Sequence, residues 1–191
     1  MNDQITQICK SAHFQLRNIG QIRDLLDTDS AKLLVNSLFT SRLDYCNSLL
    51  SGIPSYQIAR LQKLQNKAAR IITRTKCSEH IRPIVKKLHW LPVEHRINFK
   101  VLCFMYKCRS GSAPPYIQEL VQEYTPPRNL RSGSLSNYTV PRTRSCIAMR
   151  SFSSNRPTLW NSLPETIKAS RTFAEFKTKL KTHFFRLAFL S

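Results

Sequence analysis

Apolar residues recur at helical spacing along most of this chain, and the breaks between these stretches fall at Gly, Pro and capping residues. Ile5, Ile8, Ala12 and Leu16 define a first helix, which Gly20 loosens or ends. Asp27, Thr28 and Asp29 supply capping oxygens and negative charge for a second helix over about Ser30 to Leu50. Its apolar residues Leu33, Leu34, Val35, Leu38, Phe39, Leu43, Cys46 and Leu49 cover more than one face, which predicts the central, most buried helix. Gly52 and Pro54 stop it. Ser55 caps a third helix that runs to about Thr75, and a short helix follows over about Glu79 to Leu88. Pro92 opens the next, with Glu94 in its first turn. That helix aligns Ile97, Val101, Phe104, Met105 and Cys108 and ends near Gly111; Pro114 and Pro115 then open a short turn of helix over Tyr116 to Val121.

From Tyr124 to Arg156 the periodicity disappears, and Pro, Ser and Arg dominate. Asn137–Val140 and Ser145–Met149 read as short strands of a hairpin, the alternative being an irregular basic loop. A last helix over Thr172 to about Leu190 places Phe173, Phe176, Leu180, Phe184 and Leu187 in register. The class is mainly α. Four regions follow from these shifts: helical over 1–75, helical over 76–123, basic and irregular or short-stranded over 124–156, and helical again over 157–191. No internal repeat is present.

Charge adds what periodicity does not. The chain of 191 residues carries a formal net charge of +19, with a pI near 10.2. That far exceeds what solubility requires, and such a charge repels itself unless a polyanion neutralises it. Residues 1–50 hold five Lys/Arg against five Asp/Glu and sum to zero; residues 51–125 hold thirteen against four (+9); residues 126–191 hold twelve against two (+10). A neutral head and a basic body predict a docking head and a phosphate-facing body.

The third helix carries the best-defined pattern. Arg60, Lys63, Lys67, Arg70 and Arg74 are spaced three, four, three and four apart. They fall within an arc of about 80° over roughly 21 Å of helix, with no carboxylate among them. Ile58, Leu61, Leu64, Ala68 and Ile71 form the neighbouring apolar arc, so one face packs while the next offers cations to phosphate. Gln62, Gln65 and Asn66 add neutral groups able to reach sugars or bases. The plainer reading is a solvated charged face, but such faces normally mix signs.

A second basic cluster comprises Arg128, Arg131, Arg142, Arg144, Arg150 and Arg156 with Tyr138, a mixture suited to phosphate contact and to stacking on unpaired bases. A flexible basic loop without a defined site has the same composition. Lys177, Lys179 and Lys181 lie on the polar side of the Phe-rich last helix, as they would on a membrane-surface helix or a soluble core helix, and the latter suffices.

Catalytic and metal chemistry find no support. There is no adjacent carboxylate pair, Gly-rich phosphate loop or Gly-x-Ser-x-Gly. Cys77-x-x-His80 with His89, His95, Cys103 or Cys108 matches no zinc-finger or knuckle spacing, and core thiols explain the cysteines better. No catalytic residue, metal ligand or cofactor site is assigned. Six scattered cysteines read as free thiols in a reducing compartment, nuclear or cytoplasmic. The start MNDQITQICK does not read as a signal peptide, and no run of about 18 apolar residues exists. Trp90 and Trp160 read as packing anchors at helix boundaries.

Five blocks, in order and covering nearly the whole chain, carry a resemblance: SRLDYCNSLLSGIP over 41–54, LQKLQNKAAR over 61–70, LHWLPVEHRI over 88–97, LWNSLP over 159–164 and FKTKLKTHF over 176–184. Together they resemble the region that follows the catalytic palm in reverse transcriptases of non-LTR (LINE-type) retrotransposons. The resemblance implies a helical thumb-like segment near residues 1–75 that lies against a template–primer duplex, followed by a C-terminal extension. It also implies a fragment, since Met1 falls inside that region. The family's polymerase chemistry needs paired aspartates in a palm motif to hold two metal ions. No two aspartates are adjacent here, so no catalytic residue carries over.

The chain is therefore expected to be a non-catalytic polymerase segment that binds RNA, DNA or their hybrid through phosphates, with the missing palm as a further partner and no membrane. The alternative is an inert relic or a partner-docking helical domain, with the leucine-rich head as the docking surface. A standalone sequence-specific DNA-binding protein would need a helix-turn-helix, for which no convincing spacing is found.

Overall fold

A computed structural model of the chain describes residues 2–125, 137–145, 148 and 151–190. These residues are mainly helical. The helices are α1 (Asn2–Gln21), α2 (Thr28–Val35), α3 (Ser41–Asp44), α4 (Ser55–Thr73), α5 (Ile81–Lys87), α6 (Val93–Arg109), α7 (Pro115–Gln118), α8 (Phe152–Asn161), α9 (Glu165–Lys168) and α10 (Phe173–Phe189). Two compact units result. The first comprises Met1–Leu49, Ile53–Ile97 and Phe185–Ser191; the second comprises Leu50–Gly52 and Asn98–Phe184.

In the first unit, α1 packs along α4. Ile5, Cys9, Ala12, Leu16 and Ile19 repeat at four and three, so a single stripe of α1 is buried. Opposite them α4 buries Leu61, Leu64, Ala68, Ala69 and Ile72. Each fully buried Leu or Ile contributes about 1.5–3 kcal/mol. The α1 helix runs one residue past Gly20, and Pro54 rather than Ser55 occupies the N-cap of α4.

The C-terminus of α4 is closed from outside. Arg74 adopts the left-handed cap conformation (φ 56°) that glycine usually supplies. The last carbonyls need partners and carry the negative end of the helix dipole. Arg23, buried in a 3₁₀ turn over Arg23–Leu25, supplies them: its Nε donates to Ile71 O at 2.7 Å and its Nη2 to Ile72 O at 2.8 Å.

The segment after Asp27 departs from the single buried helix expected over Ser30 to Leu50. Asp27 does cap α2, accepting from the Asp29 and Ser30 N–H groups. The helix then loosens into a π turn over Asn36–Thr40, continues as α3, and ends in a 3₁₀ turn over Asn47–Leu50. Hydroxyls explain the irregularity. Ser37 Oγ donates back to Leu33 O at 3.0 Å and to Leu34 O at 3.2 Å, and Ser41 Oγ donates to Ser37 O. Such bonds compete with the helical ladder. Of its apolar residues Ala31, Val35, Phe39, Leu43 and Leu50 are buried, whereas Leu33 and Leu49 are 70% and 60% exposed.

Two polar ties hold the start of α6 within the first unit. Arg96 forms a bidentate ion pair with Asp44, both half-buried (Nε to Oδ1, 3.0 Å; Nη2 to Oδ2). Gln62 Oε1 accepts from Val93 N–H at 2.9 Å, which satisfies an orphan donor at the start of α6.

The core of the second unit is aromatic. Phe176 stacks between Tyr106 (4.5 Å between centroids) and Trp160 (5.8 Å), and Tyr138 meets Trp160 edge-on. Asn161 holds Tyr138 by both backbone groups, accepting from its N–H at 2.9 Å and donating to its carbonyl at 2.8 Å. Tyr138 forms an isolated antiparallel bridge with Glu123, flanked by Tyr124 N–H to Asn137 O and Thr139 N–H to Gln122 O, and no strand forms there among the described residues. Asn137–Val140 thus pairs backward with the segment before the basic region. Of the other expected strand, Ser145 and Ala148 are described and neither pairs; Cys146, Ile147 and Met149 lie outside the described residues. Lys168, 2% exposed, is satisfied by Asn137 Oδ1, Asn161 O and Glu165 Oε1.

Candidate nucleic-acid interface

Helix α4 carries the five expected cations, but they are not equivalent. Lys63 and Lys67 are exposed and make no hydrogen bond or ion pair among the described residues. Arg60 is half-buried and donates to Gln57 Oε1 at 2.9 Å and to Thr6 Oγ1 at 3.5 Å. Arg70 reaches forward to the carbonyls of Lys76, Cys77 and Glu79, so it fixes the turn after the helix. Arg74 leaves the helical register, donates to Arg23 O at 3.1 Å, and stands 3.9 Å from the Asp24 carboxylate. Two of the five are wholly available to a ligand, and three also serve the fold.

The neutral amides behave differently from expectation. Gln65 is buried and donates to Leu91 O at 2.9 Å. Gln62 bonds Val93, Gln65 and Asn66. Gln62 and Gln65 thus hold α4 to the start of α6, while Asn66 bonds Gln62 within α4.

Packing of α1 against α4 adds cations that regional charge sums conceal. A groove of about 540 Å³ between the two helices is lined by Thr6, Cys9, Lys10, His13, Arg60, Lys63 and Leu64. Lys10 and His13 are exposed, and no carboxylate lines the groove. Helix α1 has one acid, Asp3, while the other four acids of residues 1–50 lie beyond Gln21. Summing over fifty residues therefore masks a basic face on α1. The spacing Lys10, His13, Arg17, read alone, is the signal that finds it. Burial pushes the Cys9 thiol up, partly offset by the nearby Arg60 charge.

The second basic cluster divides. Arg142 and Arg144, in the second unit, are exposed and make no hydrogen bond or ion pair among the described residues. Arg156 belongs to the interior: it is 5% exposed, lies over the Phe152 ring at 5.1 Å, and burial lowers its pKa. Tyr138 is 4% exposed and packs on Trp160, so it is not a stacking platform for bases. Arg128, Arg131 and Arg150 lie outside the described residues.

Among the described residues, no three His, Cys, Asp or Glu side chains converge as a metal site requires. Cys9, Cys103 and Cys108 are buried thiols, whereas Cys46 and Cys77 are exposed. No helix of the described residues is long and apolar enough to cross a membrane. Searches of protein-family models, curated proteins and solved structures find no match to this chain.

Proposed function

We propose that this chain is a non-catalytic nucleic-acid-binding segment, akin to the post-palm region of a retrotransposon reverse transcriptase, that holds a phosphate backbone in the α1–α4 groove. One observation carries the reading: Lys10, His13, Arg60 and Lys63 from two helices line one concave surface without a carboxylate, and Lys67 lies one turn further along α4. Phosphate is the ligand such a surface suits, since each cation gains by releasing a condensed counterion from the polyanion. RNA, DNA and their hybrid all present that backbone.

The test is anisotropy of the purified chain with a labelled RNA–DNA hybrid across a salt series. Wild-type affinity falls steeply with salt. In Lys63→Glu/Lys67→Glu it falls at least about tenfold, and the salt slope decreases by about 0.9 for each phosphate that is no longer neutralised. Binding within twofold of wild type in that variant would overturn the proposal. A second reading, a partner-docking domain, rests on exposed apolar residues of the first unit: Leu25 is 86%, Leu33 70%, Tyr45 76% and Leu49 60% exposed. It predicts self-association that Leu33→Lys abolishes and the lysine variant leaves intact.

A further inference from the structure

A second cleft of the first unit is separate from the groove. It lies at the C-terminal end of α4, has a volume of about 800 Å³, and falls within the range of small-ligand sites. Its apolar lining is Leu26, Ile72, Leu88 and the half-buried Trp90. Its cations are Arg23, Lys32, Arg74 and Lys87, against one carboxylate, Asp27. Their availability differs. Arg23 is consumed by backbone carbonyls, and Lys32 pairs with Asp29 at 2.9 Å. Lys87, exposed in the last turn of α5, makes no hydrogen bond or ion pair among the described residues. Arg74 is 53% exposed, donates to Arg23 O and stands 3.9 Å from the exposed Asp24 carboxylate, with which a phosphate would compete. Asp27 accepts from the Asp29 and Ser30 N–H groups through Oδ2, and Asn36 adds an amide to the lining.

We propose that this cleft binds a single unpaired nucleotide, with the base against Trp90 and the phosphate between Lys87 and Arg74. The lining favours that class over simpler anions. Inorganic phosphate would use the cations and leave the indole and apolar floor unmatched. A nucleotide matches all three features at once: a π face for Trp90, hydrogen-bonding groups for Asp27 and Asn36, and a charged phosphate. The inference rests on the proposed function only for the source of the nucleotide. Lys63 and Arg74 are separated by about 16 Å along the helix, roughly five nucleotide steps, so a strand held in the groove has an end near the cleft.

The experiment uses adenosine monophosphate, titrated against the intact chain and read by tryptophan fluorescence. Trp160 is fully buried, so a soluble quencher reports on Trp90. Saturable quenching is expected with the monophosphate, and much weaker quenching with adenosine or inorganic phosphate alone. Lys87→Glu, an exposed change that leaves the fold intact, weakens it roughly tenfold, the loss expected of one charge-assisted hydrogen bond. Trp90→Phe removes the quench. Quenching by the monophosphate no stronger than by adenosine, or unchanged in Lys87→Glu, would overturn the proposal. A companion titration compares a blunt RNA–DNA hybrid with one bearing a short single-stranded overhang. The overhang is expected to tighten binding in wild type and to confer no advantage in Lys87→Glu, while blunt-end binding persists in both. Equal affinity for the two hybrids in wild type counts against the cleft. Loss of all hybrid binding counts against the groove instead, because the monophosphate titration reads the cleft without it.

Discussion

Replacing Arg23 by methionine tests whether one buried side chain holds the end of α4. The guanidinium donates to Ile71 O at 2.7 Å, Ile72 O at 2.8 Å and Leu26 O at 2.6 Å while only 7% exposed. Hydrogen bonds to a charged group contribute about 1.5–3 kcal/mol each, and an acceptor left without a partner costs about 1–3 kcal/mol. The three do not sum, because local relaxation and water restore some partners and methionine recovers apolar packing. A net loss of about 3 kcal/mol results. A chain of 191 residues shifts its Tm by about 2–4 °C per kcal/mol, so a fall of about 6–12 °C is expected in far-UV circular dichroism melts. Lysine at the same position keeps the charge but lacks the three-way donor fork, and should recover less than half of the loss. A methionine variant melting within about 2 °C of wild type would refute the assignment. A lysine variant equal to wild type would show that charge near the helix end suffices and that the fork geometry does not matter.

Three further outcomes follow from the stability of the fold, and one from its pH dependence. Lys63→Gln/Lys67→Gln should weaken hybrid binding with a melting temperature within about 2 °C of wild type, since exposed unpartnered positions tolerate change. Arg70→Gln should cost about 1–2 kcal/mol, because it releases three carbonyls of the following turn; equal stability of the two variants would show that Arg70 is as free as the lysines. Phe176→Ala should cost about 3–5 kcal/mol in urea denaturation by opening a cavity between Tyr106 and Trp160, and a loss under about 1.5 kcal/mol would mean the rings collapse together without it. Burial raises the Cys103 thiol to about 11, so the native state keeps that proton at a pH where the unfolded chain has lost it. Stability from this group is fully present below about pH 8.5 and is lost as pH rises toward 11; Cys103→Ala should flatten that decline, and an equal decline in both proteins would disprove the link.

Helices α1, α4 and α6 are legible because each combines a 3.6-residue apolar period with punctuation that backbone chemistry enforces: Gly20 near the end of α1, Pro54 before α4, Pro92 before α6 and Gly111, at φ 68°, after it; α10 is legible from its period alone. The segment over 30–50 misleads because its apolar content outweighs its hydroxyls on inspection. Ser37 and Ser41 bond backward to the chain where the helix opens into a π turn, and in α2 before it Ala31 and Val35 take the buried face while Leu33 stays outside the core. Several residues in the blocks that carry the family resemblance turn out to build the fold: Asp44 meets Arg96, Gln62 meets Val93, and Trp160 stacks on Phe176.

The amino-acid sequence alone determined the helical class, the excess of positive charge and the row of cations along α4, since these depend on composition and on spacing within one segment. Tertiary structure decided which cations remain free. Arg60, Arg70 and Arg74 have partners 54, 9 and 51 residues away, and Lys10 and His13 join Lys63 only because α1 packs along α4. A charge becomes a binding group when the fold leaves it without a partner on a shared surface, and that depends on packing between residues far apart in the chain.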